Sequence, residues 1–103
     1  QDDEMAQGVV EAIRDAGRGG EMLLTGVGGS QAAMDQIKEG GLYRATFLYN
    51  PAMAASAVNL ARLIALGEGL PELVPPEVPR QIVVPAAVVT QDTVEDYEQY
   101  AFN

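Results

Sequence analysis

The sequence predicts an α/β fold on a parallel sheet, and three observations carry that expectation. Apolar residues recur at helical spacing in three separate stretches. Short runs that are apolar or rich in β-formers follow each of them, and this alternation gives parallel strands joined by right-handed crossovers. Glycines and prolines fall where each periodic stretch begins or ends.

A first helix is expected over about 3–16, where Met5, Val9, Ala12, Ile13 and Ala16 share one face. Asp2, Asp3 and Glu4 suit the positive end of its dipole, and Gly17, Gly19 and Gly20 stop it. Residues 22–27 read as a strand covered on both faces. Gly28 and Gly29 then turn the chain. Ser30 caps a second helix with Ala33, Met34 and Ile37 on its inner face, ended by Gly40 and Gly41. Residues 43–49 form a second strand. Pro51 fits the first turn of a third helix, which carries Met53, Ala57, Leu60, Ala61 and Ile64 and stops at Gly67. Its alanine-rich inner face predicts close packing in a core.

Residues 70–79 hold four of the six prolines and read as a surface connector. Residues 81–90 are extended and broken by Pro85. The acidic, aromatic stretch from Asp92 onward reads as a solvated face, with a short helix capped by Asp92 or Thr93. Two or three strands make a thin sheet, and the leading helix has no strand feeding it. The expectation is therefore an incomplete fragment of a larger α/β unit.

Composition excludes several functions. The 103 residues carry 6 Lys+Arg against 15 Asp+Glu, a net charge of -9. Such a chain cannot neutralise a run of phosphates, so no nucleic-acid partner is expected. With neither Cys nor His, thiolate or imidazole zinc sites and a His-based triad are out, and no metal or other cofactor is expected. No apolar run reaches the ~18 residues of a membrane span, so direct membrane insertion is not expected.

In open parallel sheets ligands bind beyond the carboxyl ends of the strands. Three segments fall there: Gln1-Asp2-Asp3, on condition that a strand precedes it, Val27-Gly28-Gly29-Ser30 and Tyr49-Asn50-Pro51. The glycine run lacks the third glycine of a dinucleotide fingerprint and the Lys-Ser/Thr of a phosphate loop. It is either a tight turn with a helix cap or a loop whose backbone comes close to a ligand. Asp2 and Asp3 are either helix caps or acceptors for sugar hydroxyls. As adjacent residues they cannot flank a glycosidic bond from opposite faces. Tyr49 either packs or offers a flat face to a sugar ring.

The segment Gln1-Asp2-Asp3-Glu4-Met5-Ala6-Gln7-Gly8, the Gly26-Val27-Gly28-Gly29-Ser30 turn, the Ile37-Lys38-Glu39-Gly40 helix end and Tyr49-Asn50-Pro51 follow one another in order. With the ending Val88-Val89-Thr90-Gln91-Asp92 and Val94-Glu95-Asp96-Tyr97, they resemble the C-terminal part of type I periplasmic sugar-binding proteins, the ribose-binding-protein-like receptors of ABC transporters. The resemblance covers essentially the whole chain. It implies part of a three-layer α/β/α periplasmic-binding-protein type I fold, with two lobes joined by three crossing segments and a sugar clasped between the lobes. It implies that 1–49 belong to the C-terminal lobe, 50–80 to the N-terminal lobe, and 81–103 to a hinge strand and tail.

The sugar-binding residues implied are Asp2, Gly28 and Tyr49. Asp2 stands where the family has an Asn or Asp that hydrogen-bonds the sugar, and Tyr49 about where a Gln or similar side chain reaches it. The family's strand-end Gly-Phe-Asp-Gly is here Gly26-Val27-Gly28-Gly29. Gly28 thus replaces a ligand-binding Asp, which opens space and implies a larger or differently oriented ligand in place of ribose.

The implied function is a binding protein and not an enzyme. It captures a sugar or polyol in the periplasm or outside the cell, with a signal peptide in the precursor and a lipid anchor as one mode of attachment, and delivers it to an ABC transporter permease. No set of residues forms a nucleophile, base and orienter. The alternative is the effector domain of a LacI-like transcription regulator, which shares the fold. Lacking partners for its own segments, the isolated fragment is expected either to fold incompletely or to be rescued by self-association.

Overall fold

The acidic start of the chain works as local rules predict. The Glu4 N–H donates to Asp2 Oδ1 at 3.0 Å, which caps the first helix. The computed structural model describes residues 2–102, and Gln1, part of one candidate segment, lies outside them. The elements in order are α1 (Asp3–Asp15), β1 (Leu24–Gly28), α2 (Gln31–Glu39), β2 (Tyr43–Leu48), α3 (Met53–Ala65), β3 (Ala87–Thr90) and α4 (Val94–Tyr97), followed by a 3-10 turn at Glu98–Tyr100. They belong to two units. One runs to Tyr49 and resumes at Ala86, and the other is Asn50–Pro85.

In the first unit the sheet order is β1-β2-β3. β1 and β2 are parallel, as the crossover through α2 requires. β3 runs antiparallel to β2, so the sheet is mixed where a parallel one was expected. The cause lies in the connection. The chain leaves β2 after Leu48 and re-enters at Ala87, and these two residues are register partners. A chain that returns where it left must run back the other way. Pairing also ends there, so 81–86 form no strand although their composition suits one.

Within this unit only one sheet face is covered. Gly26, Thr46 and Val89 make one buried row across the three strands, and Gly28, Leu48 and Ala87 make the next. Val10 of α1 and Met34 and Ile37 of α2 join this core, with Val94 of α4. The opposite row, Val27, Phe47 and Val88, is exposed. Within this unit, then, β1 is covered on one face and not on both, and the unit builds two of the three expected layers.

Ser30 Oγ accepts from the Ala33 N–H at 3.2 Å and starts α2. At the far end of α1, Arg18 N–H reaches the Ile13 carbonyl at 3.0 Å and Gly17 N–H the Arg14 carbonyl at 2.9 Å, the paired bonds of a Schellman stop. α4 begins at Thr93, but no side chain caps it. The stretch from Asp92 is less solvated than its acidity predicts. Val94 is buried, Tyr97 and Ala101 pack on the core, and Lys38 pairs with Glu98 at 3.1 Å.

In the second unit Asn50 Oδ1 accepts from the Ala52 N–H at 2.9 Å, and α3 follows. Pro51 sits just before the helix and not in its first turn. α3 has no buried residue, against the expectation of a core helix. Within this unit the irregular segment around Ile82 and Val84 lines a groove with Met53, Ala57 and Leu60.

Candidate functional site

The site grows from one buried carboxylate. Asp3 is 1% exposed at the start of α1, under the carboxyl end of β1. Its Oδ2 accepts from the Gly29 N–H at 2.7 Å and the Ser30 N–H at 2.9 Å. Its Oδ1 accepts from the Tyr43 hydroxyl at 2.6 Å, and Thr46 Oγ1 lies 2.9 Å from both oxygens. Burying an anion is costly unless donors surround it, and four groups do so here. Burial and the bond to Asp3 hold the Tyr43 phenol well above its ordinary pKa.

Asp3 therefore ties α1 to the turn after β1 and to two side chains of β2. Gly26 makes room for it. A Cβ there would collide with the Tyr43 hydroxyl and with Asp3 Oδ1. The result is a braced edge at the carboxyl ends of two parallel strands, the position where open α/β sheets bind ligands.

A sequence profile of the periplasmic binding protein domain matches residues 1–69. The chain belongs to that family. No curated protein matches it. The matched span includes α1, the glycine turn, both parallel strands and α3. Periplasmic binding protein domains bind solutes and are not enzymes, and they typically work in the periplasm or outside the cell. No helix among the described residues is long and apolar enough to cross a membrane.

The three residues singled out for ligand contact sit at one edge of this periplasmic binding protein domain. Asp2 is exposed, and its backbone bridges in parallel to Val27. Gly28 is buried, pairs with Leu48 and has φ +134°, a conformation L side chains rarely adopt. Tyr49 follows Leu48 and is 40% exposed. Asp2 and Asp3 do not act as a pair. Asp2 faces solvent beside its cap bond, while every oxygen of Asp3 is taken by internal donors, so Asp3 is no acceptor for a sugar.

Two contributors escape a reading of the sequence. The role of Asp3 is invisible because adjacent acids before a helix look alike as caps. Phe102 is the other. Its N–H donates to the Gly29 carbonyl at 3.3 Å, and its own carbonyl accepts from the Gln31 N–H at 2.9 Å, so the last described residue joins the same edge. The spacing of Val94, Tyr97 and Ala101 is the signal that this stretch packs inward.

Proposed function

We propose that this chain is part of the sugar- or polyol-binding component of an ABC transporter, which clasps its solute between two lobes and delivers it to a permease. The observation that carries this reading is the assembly of Asp2, Gly28 and Tyr49 at one strand edge, braced from beneath by Asp3. The exposed Asp2 carboxylate accepts from sugar hydroxyls, with charge-assisted bonds. Tyr49 offers an apolar ring face with a hydroxyl at its rim. Gly28 brings bare backbone to the edge, with the Phe102 ring and the Asp3 carboxylate standing where its side chain would point.

In the same proposal 50–80 belong to the other lobe, with hinge crossings at Tyr49-Asn50-Pro51 and around Pro85. The pairing of Leu48 with Ala87 supports it, since both connections then leave the sheet side by side. Closure about such a hinge on binding gives the permease a form to recognise.

A thermal-shift screen of the intact protein against pentoses, hexoses and polyols tests the reading. A ligand bound only by the folded state stabilises it by about 2.7 kcal/mol at a hundredfold excess over Kd. At least one clear rise in Tm is expected. A flat response across the panel contradicts the sugar assignment.

A further inference from the structure

After α4 the chain runs onto the candidate ligand edge at Phe102. Phe102 is held there through its backbone, in a parallel bridge to Ser30. Its ring Cζ lies 3.4 Å from the point a Cβ on Gly28 would occupy. The ring and Asp3 Oδ2, at 3.5 Å from the same point, thus close the one site position that has no side chain. Phe102 is only half-buried, and with Glu4, Gln7 and Ser30 it lines a cavity of about 230 Å³ between the first turns of α1 and α2.

We propose that Phe102 forms a wall of the solute site, in place of the side chain that Gly28 lacks, and that it selects which solute fits. This rests on the reading of the edge as a sugar site. An aromatic face suits the apolar C–H face of a sugar ring, and the Glu4 carboxylate on the same cavity supplies an acceptor for its hydroxyls. An Asp at position 28 would select by hydrogen bonding. A phenyl ring selects by shape, which favours a ring with an uninterrupted apolar face.

The test is calorimetry on the intact protein with D-ribose, D-xylose, D-galactose and myo-inositol. It compares the native protein with Phe102→Ala, Phe102→Leu and Phe102→Tyr. Affinity for the preferred sugar is expected to fall about tenfold in the Ala and Leu variants and to persist in the Tyr variant. The rank order of the panel is expected to change with it, which a purely structural role would not produce. Phe102→Leu keeps most of the packed volume, so it carries the test if Phe102→Ala does not fold. Affinities and rank order unchanged within about twofold in the Leu variant overturn the proposal and leave the sugar reading standing. A native protein that responds to no pentose, hexose or polyol in the thermal-shift panel removes that reading, and this proposal falls with it.

Discussion

The Tyr43 hydroxyl lies 2.6 Å from Asp3 Oδ1, a contact between residues 40 positions apart. It joins the start of the first helix to the start of the second strand, beneath the turn that carries Gly28, Gly29 and Ser30. Both partners are fully buried. The edge proposed to meet the solute is therefore held by a polar knot and not by apolar packing alone.

Replacing Asp3 breaks that knot. Asp3→Ala leaves two buried backbone N–H groups and two hydroxyls short of their acceptor, and the loss of stability is expected to be about 3 kcal/mol or more. Asp3→Asn keeps the volume but points an amide NH2 at donors, and a smaller loss is expected. Urea unfolding of the two variants measures both values. Equal stability in Asp3→Ala and the native protein would refute the account of the knot.

Alkaline pH tests the same contact through Tyr43. Its phenol has a raised pKa, so the folded state holds that proton more tightly than the unfolded chain does. The resulting stability is complete below the unfolded value of about 10 and drains away as pH rises above it. Tyr43→Phe is expected to cost about 1 kcal/mol near neutrality and to flatten the alkaline decline. Lys38, raised by its bond to Glu98, titrates in the same range but is present in both proteins, so the difference between them isolates Tyr43. Tm recorded from about pH 8 to about pH 11 gives the comparison.

Two glycines offer an opposed pair. Gly26→Ala places a methyl into the Tyr43 hydroxyl and the Asp3 carboxylate, and overpacking of this kind costs about 1–3 kcal/mol or more. Gly8 lies on the exposed side of α1, with nothing near its missing Cβ. Gly8→Ala is expected to stabilise by about 0.5–1 kcal/mol through helix propensity. Thermal melts of the two variants are expected to move in opposite directions.

The elements of the first unit were legible because their signals are local. Asp2 and Ser30 cap helices from their own sequence neighbourhood, and the apolar spacing of Met34 and Ile37 marks the face of α2 that is buried. What the sequence concealed is long-range. The direction of β3 follows from where the chain returns beside Leu48, not from any residue within the strand. α3 reads as a core helix by composition yet buries nothing, because burial depends on what faces a helix. At the site, Asp2, Gly28 and Tyr49 could be placed at strand ends from the alternation of elements. The burial of Asp3 could not, since its partners Tyr43 and Thr46 are 40 and 43 residues away.

Tyr49 separates binding from folding. Its ring is substantially exposed, so Tyr49→Ala is expected to change stability by no more than about 0.5 kcal/mol. Loss of the ring face and its hydroxyl is expected to weaken solute affinity about tenfold or more. Calorimetry together with a ligand-free melt reads both quantities. A large fall in ligand-free Tm with unchanged affinity would make Tyr49 a packing residue.

The most direct test of the central claim is an amide chemical-shift titration of the intact, isotopically labelled protein with the sugar that raises its Tm most. The account predicts that, within this chain, the largest shifts fall at Asp2, Gly28, Gly29, Ser30 and Tyr49. Shifts that leave these amides still and gather elsewhere in the chain would contradict it.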